Sequence, residues 1–263
     1  MPEFTNKDVQ ALRRATGAGM LDARRALQET DGDVEGARRW LREQGLASSS
    51  RRSDRPSSQG AVSVVVDGPG AIVELRCETD FVAKSAEFVR LVEELAQLVA
   101  AKGEEAVAER QGDVDELKVT LKENIGVGRV VRFLPADGAI LDSYLHIQNG
   151  RGVNAVLVEM VGGSKQLAHE VAVHIAFARP TYLSREDVPA SEVETERATI
   201  ESISRKEGKP EAALPKIVEG RLTGWFKERC LLEQPYARDE KQTVAQLVGE
   251  ARVTRFAQVE VGA

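Results

Sequence analysis

Between Ala47 and Gln59 the chain reads ASSSRRSDRPSSQ: six serines, three arginines and a proline, with no apolar residue at a helical or strand period. Such a segment has no face to bury, so 47–59 is expected to be a flexible linker. It divides the 263 residues into a short unit and a long one, each of which has to close its own core.

The short unit, 1–46, reads as three helices. Thr5 followed by Asp8 supplies a capping box for a first helix with Val9, Leu12 and Ala15 on one face. Thr16-Gly17-Ala18-Gly19 stops it, since glycine supplies the backbone freedom of a tight turn. Ala23, Ala26 and Leu27 mark a second helix. Asp33 is placed to cap a third, which carries Val34, Ala37 and Leu41 and is expected to end at Gly45.

After the linker the period changes to that of strands. AVSVVVD (61–67) and AIVELRC (71–77) flank Gly68-Pro69-Gly70 and predict a β-hairpin. Two helical stripes follow, Phe88, Leu91, Leu95 and Leu98, then Val114, Leu117, Leu121 and Ile125. Strands are expected over 127–134, 140–147 and 153–160, and a helix with Leu167, Val171 and Ile175 ends before Pro180. Strand, strand, helix thus occurs twice, which suggests two related halves.

Residues 190–230 read as a helical hairpin broken at Gly208-Lys209-Pro210. Val193, Ile200 and Ile203 line one arm; Ile217, Leu222, Trp225 and Phe226 line the other. A short helix after Thr243 and a strand over 253–261 close the chain. That last strand has to rejoin a sheet begun far upstream, so the hairpin is an insertion. The expected class is α+β: a docking module (1–46), the linker, a core of both halves (60–183), the hairpin (184–231) and a return to the core (232–263).

Charge and composition exclude several functions. A net charge of −6 does not suit a direct nucleic-acid binder, which needs a basic surface to neutralise phosphates. Cys77 and Cys230 are far apart and form no CxxC pair, so a reducing, cytoplasmic setting is expected. MPEFTNKDVQ has no apolar signal region, and no apolar run is long enough to span a membrane. The three histidines, His146, His169 and His174, fit no HExxH pattern. The five-residue spacing of His169 and His174 is wrong for a metal pair on one helix turn. No Walker A or G-x-S-x-G motif is present, so neither catalytic residues, nor a metal, nor a cofactor is expected.

One segment resists this bland reading. Glu78-Thr79-Asp80-Phe81-Val82 falls in what should be a loop between the strand ending at Cys77 and a helix starting near Ser85. Phe81 either folds back onto its own core or is an apolar wedge offered to a partner. The residues alone leave both open.

The stretch Cys77-Glu78-Thr79-Asp80-Phe81-Val82-Ala83-Lys84 resembles the signature of the bacterial elongation factor Ts family. Leu12-Arg13-x-x-Thr16-Gly17-Ala18-Gly19-Met20-x-Asp22 with Ala26-Leu27 is similar to its other signature. Further matches lie in order at His174-Ile175-Ala176, Pro180-x-Tyr182-Leu183, Lys216 to Leu222 and Leu231 to Tyr236. The resemblance implies a ubiquitin-associated-like N-terminal module, a two-part core with antiparallel sheets and a coiled-coil insertion. It also implies a guanine nucleotide exchange factor that acts on elongation factor Tu, binding both its GDP-bound and its nucleotide-free form. By that likeness Thr79, Asp80, Phe81, Val82 and His146 form a wedge near the partner's magnesium site. Leu12, Arg13, Thr16, Gly17, Ala18, Gly19, Met20 and Arg24 dock on its nucleotide-binding domain.

The chain departs from the family at Thr120-Leu121-Lys122-Glu123-Asn124-Ile125 and in a longer turn at Gly150-Arg151-Gly152-Val153-Asn154, both flanking His146. The last strand is followed only by Gly262 and Ala263, so a further C-terminal helix found in some members is expected to be missing. A divergent paralogue that binds Tu as a scaffold, without efficient exchange, is the alternative. A peptide binder built on 1–46 alone leaves the matching core unused, and no nucleophile–base pair supports a hydrolase.

Overall fold

The computed structural model describes residues 4–50 and 54–263. Helix α1 (Asn6–Thr16) opens on the expected capping box: the Thr5 hydroxyl accepts from the Asp8 N–H, and the Asp8 carboxylate accepts from the Thr5 N–H at 2.7 Å. Gly17 ends it at φ 67°, in the left-handed region open to glycine. Helices α2 (Met20–Glu29) and α3 (Val34–Ser50) complete the module around Val9, Leu12, Ala23, Ala26, Leu27 and Ala37.

Two expectations about its end need correction. Helix α3 runs through Gly45 to Ser50, so Gly45 is not a cap. Its missing side chain instead lets the helix lie on the core. The expected linker is also shorter than 47–59. Residues 47–50 are helical, 51–53 lie outside the described residues, and the first core strand starts at Gln59.

Strands β1 (Gln59–Val66) and β2 (Gly70–Cys77) form the predicted hairpin in register Gln59 opposite Cys77. A single turn, α4 (Asp80–Ala83), leads into α5 (Ala86–Lys102) and α6 (Gln111–Leu121), and β3 (Gly126–Phe133) then joins β2. Ile125 is not on the α6 stripe as expected. Lys122 takes a left-handed conformation (φ 59°) that ends the helix, and Ile125 is buried at the entry to β3.

The second half repeats this plan. β4 (Ala139–Gln148) and β5 (Arg151–Val161) pair, α7 (Lys165–Ala178) follows, and β8 (Arg252–Glu260) closes against β5. The two antiparallel sheets, β1-β2-β3 and β4-β5-β8, therefore share one topology, each with its helix placed before the third strand.

Strand periodicity explains the layering. Odd positions of β2, Val73, Leu75 and Cys77, face α5 and α6. Even Ile72, with Val62 of β1 beside it, faces the other sheet, where Leu141, Ala155, Leu157 and Val259 meet it. On β5, Val156, Val158 and Met160 turn outward against Val171 and Ile175 of α7. The central strands β2 and β5 are covered on both faces, which is why they are buried along nearly their whole length.

Helices α8 (Ala190–Lys206) and α9 (Leu214–Arg229) form the hairpin around Ile200, Val218, Leu222 and Phe226. Ile203, expected on the buried stripe, is 45% exposed, and Ser204 takes the buried position by donating to the Ile200 carbonyl at 2.8 Å. The insertion enters and leaves at one point, where the Leu231 N–H donates to the Tyr182 carbonyl at 2.8 Å. A small hairpin, β6 (Pro235–Tyr236) with β7 (Asp239–Thr243), and α10 (Val244–Val248) lead back to β8.

Candidate functional site

The 80–83 segment is a helical turn rather than a loop, because a capping residue stands on each side of it. Thr79 stands in extended conformation, and its hydroxyl accepts from the Val82 N–H at 3.4 Å. Ser85 caps α5 in the same manner through the Phe88 N–H. Two caps six residues apart force the chain through one turn and aim consecutive side chains in different directions. Val82 points inward and packs with the β2–α5 core, Ala83 is buried, and Phe81 points away and is 79% exposed. The reading in which Phe81 folds back onto its own core is thereby excluded.

Lys84 anchors the outer side of the turn. Its ammonium pairs with Asp80 at 2.6 Å and lies 5.1 Å from the centre of the Phe81 ring. That hydrogen bond holds the Asp80 carboxyl below its ordinary value, with nearby Arg151 adding to the effect. The turn is also tied from behind, since the Glu123 carboxylate accepts from the Glu78 and Thr79 N–H groups at 3.0 and 3.1 Å.

The tip of the β4–β5 hairpin reaches the same end of the molecule. Arg151 donates to Gln59, opposite Cys77, at 3.3 Å. His146 sits near that tip on the α7 side of its sheet, exposed and stacked on Tyr144. The β4–β5 register shifts between His146 and Ile147, so the longer turn is absorbed as a bulge. Ile147, just beyond, is 63% exposed.

The expected docking residues separate into two groups. Leu12 is 1% exposed and belongs to the module core, so it holds α1 on α2 and cannot touch a partner. Thr16 spends its hydroxyl on the Leu12 carbonyl at 2.7 Å, and Gly17 makes the turn. Ala18 and Gly19 are half-buried, while Arg13, Met20 and Arg24 are exposed. The module leans on α6, with the Gly17 backbone against Thr120, and Lys122 3.8 Å from Asp22. The 120–124 segment thus touches the turn at Gly17 on one side and the Phe81 turn on the other.

Sequence reasoning missed Leu21, Lys84 and Glu123. Leu21 is 81% exposed and had a signal, for it lies off the Ala23-Ala26-Leu27 stripe. Glu123 had none, because its partners are more than 40 residues away. Among the described residues no group of three or more His, Cys, Asp or Glu side chains is placed to hold a metal, and no helix is long and apolar enough to cross a membrane. His174, one of the three histidines, is buried and bonded to Gln234 at 3.0 Å.

Comparison with known proteins agrees with the signatures. A family model described as Elongation factor TS matches residues 78–263. The elongation factor Ts of Clavibacter michiganensis subsp. michiganensis is 46% identical over 279 residues, with all of both chains covered. Those of Micrococcus luteus, at 43% over 280 residues, and Mycobacterium ulcerans, at 44% over 279, are similar along essentially their whole length. On the family model and these full-length likenesses together, the chain belongs to the elongation factor Ts family of translation elongation factors.

Proposed function

We propose that this protein is a guanine nucleotide exchange factor that releases GDP from elongation factor Tu, and that it performs no covalent chemistry of its own. The observation that carries this reading is Phe81, an aromatic ring left in solvent on a turn that is capped, ion-paired and tied to the core. A buried aromatic on a stiff element is a contribution to folding, whereas an exposed one held in place is a preformed anchor for another surface.

The action follows from linkage. Magnesium bridges the GDP phosphates to a GTPase, so a ring pressed between the helices that support the metal weakens nucleotide binding. A factor that prefers the empty GTPase lowers GDP affinity by the same factor by which GDP lowers its own. Asp80, Phe81 and His146 are the wedge; Thr79 and Val82 hold it. Arg13, Met20 and Arg24 dock the module and raise the effective concentration of the wedge.

Stopped-flow release of a fluorescent GDP from elongation factor Tu tests this directly. The protein at saturation should speed release and should hydrolyse no GTP alone. An unchanged release rate at saturation overturns the reading.

A further inference from the structure

A four-residue helix does not hold its own shape, since nucleation costs more than one turn returns and its first N–H groups have no partner inside the helix. The turn that carries Phe81 borrows its order from a residue more than 40 positions away. Glu123 Oε2 accepts from the N–H groups of Glu78 and Thr79 at 3.0 and 3.1 Å, and Oε1 accepts from the Thr79 hydroxyl at 2.5 Å. With its proton committed to Glu123, the Thr79 oxygen presents its lone pairs to the Val82 N–H, which is the cap that starts the turn.

The clasp is reciprocal. The Glu78 carboxylate accepts from the Asn124 N–H at 2.7 Å, and Asn124 donates its side-chain amide to the Arg55 carbonyl at 2.7 Å. On its other side the same segment meets the helical module, through Thr120 beside Gly17 and Lys122 near Asp22. One carboxylate therefore stands between the turn that docks and the turn that displaces.

We propose that Glu123 is the positioning residue of the exchange site: it fixes the aim of Phe81 and joins the wedge to the docked module. This deepens the exchange reading above and rests on it for the rate measurement. A brace with no part in exchange would change stability alone. A positioning residue changes the rate at saturation while leaving binding nearly intact.

The test measures fluorescent-GDP release from elongation factor Tu at increasing concentrations of the full chain, with amide hydrogen exchange on the free protein beside it. Glu123→Ala should lower the saturating rate at least about fivefold and move the half-saturating concentration by less than about twofold. Residues 78–84 should exchange faster in the free variant, with β2 and α5 unchanged. Glu123→Gln keeps one oxygen for the two backbone N–H groups, and its NH2 can donate to the Thr79 oxygen, so it should recover most of the rate. A wild-type saturating rate in Glu123→Ala overturns the proposal, as does unchanged protection at 78–84. A Glu123→Gln variant as slow as Glu123→Ala also overturns it, for the charge and not the clasp would then matter. Should Glu123→Ala fail to fold, Thr79→Val removes the hydroxyl partner of the same carboxylate and should give the same split in smaller measure; no split overturns the proposal. If the unaltered protein fails to speed release, the exchange reading falls, and hydrogen exchange alone decides whether Glu123 orders the turn.

Discussion

Gly45 lies so close to Val119 that a Cβ on the glycine would fall 2.5 Å from Val119 Cγ1. The module is seated on the core through that approach, with α3 against α6. Gly45→Leu should lift the module off α6 without unfolding it, because Val9, Leu12 and Leu27 keep their own core. Expected results are faster hydrogen exchange over 115–120 and weaker binding to elongation factor Tu, with the saturating rate of GDP release largely kept. Undiminished binding would show that seating the module contributes nothing to docking. Deleting the module should weaken binding in the same direction.

Phe81→Ala should separate exchange from folding. An aromatic anchor at an interface is typically worth about 2–4 kcal/mol on truncation, so the catalysed release rate should fall at least about tenfold. The melting temperature should move by less than about 2 °C, since a residue that is 79% exposed gives up little buried area. Asp80→Ala should slow release more weakly, if Asp80 mainly orients the turn by holding Lys84 beside the ring. A strongly destabilised Phe81→Ala protein whose folded fraction exchanges normally would contradict the wedge assignment.

What could be foreseen from residues follows from how local the cause is. The capping box at Thr5, the stop at Gly17 and the β1–β2 hairpin are set by neighbours in sequence, and all are present. The repeated strand-strand-helix order was legible because each strand carries its own period, and it became two sheets of one topology. Gly45 was misjudged because a glycine near a helix end has two uses, a cap or a close approach. Only Val119, more than 70 residues on, decides between them. The serines at 48–50 read as linker by composition, yet α3 continues through them. Phe81 was visible as an anomaly, but its exposure depends on the Thr79 and Ser85 caps together with Glu123.

Neither cysteine should react with a thiol reagent while the protein is folded. Burial pushes the Cys77 thiol up to about 12 and the Cys230 thiol up to about 11, from an ordinary 9.0. At pH 8 the thiolate of Cys77 is scarcer by about a thousandfold than in an unfolded chain, and its sulfur is also shut from solvent. Disulfide-exchange titration should therefore count no reactive thiols in the native protein and two in denaturant. Since the folded values are raised, the neutral thiols support folding fully below about pH 9, and that support fades as pH climbs towards 11 and 12. One fast-reacting thiol in the native protein would mean that the β2 end or the hairpin base opens readily.

Stability should also fall on the acid side, and His174 is the group to watch. Its ring is buried, with Nε2 bonded to the Gln234 side-chain oxygen at 3.0 Å and Nδ1 accepting from the Ala237 N–H at 3.2 Å. That pattern requires the neutral ring with its proton on Nε2. A second proton on Nδ1 would face the Ala237 donor and break the bond. Burial lowers the folded pKa below the ordinary 6.5, with the Gln234 bond opposing more weakly. In this direction the unfolded chain takes up the proton first, so the contribution is whole above about pH 6.5 and is lost as pH falls through the lower folded value. Facing the ring are Gln234, the Tyr236 ring at 5.9 Å and the Ala237 backbone, none of which carries a charge near neutrality. The melting temperature should drop between pH 7.5 and pH 5, before most carboxylates titrate. His174→Phe cannot be protonated, so its melting temperature should start lower, from the lost bonds, and then change less over the same interval. Calorimetric scans of both proteins across that range decide the matter: equal slopes would place the acid sensitivity on other groups.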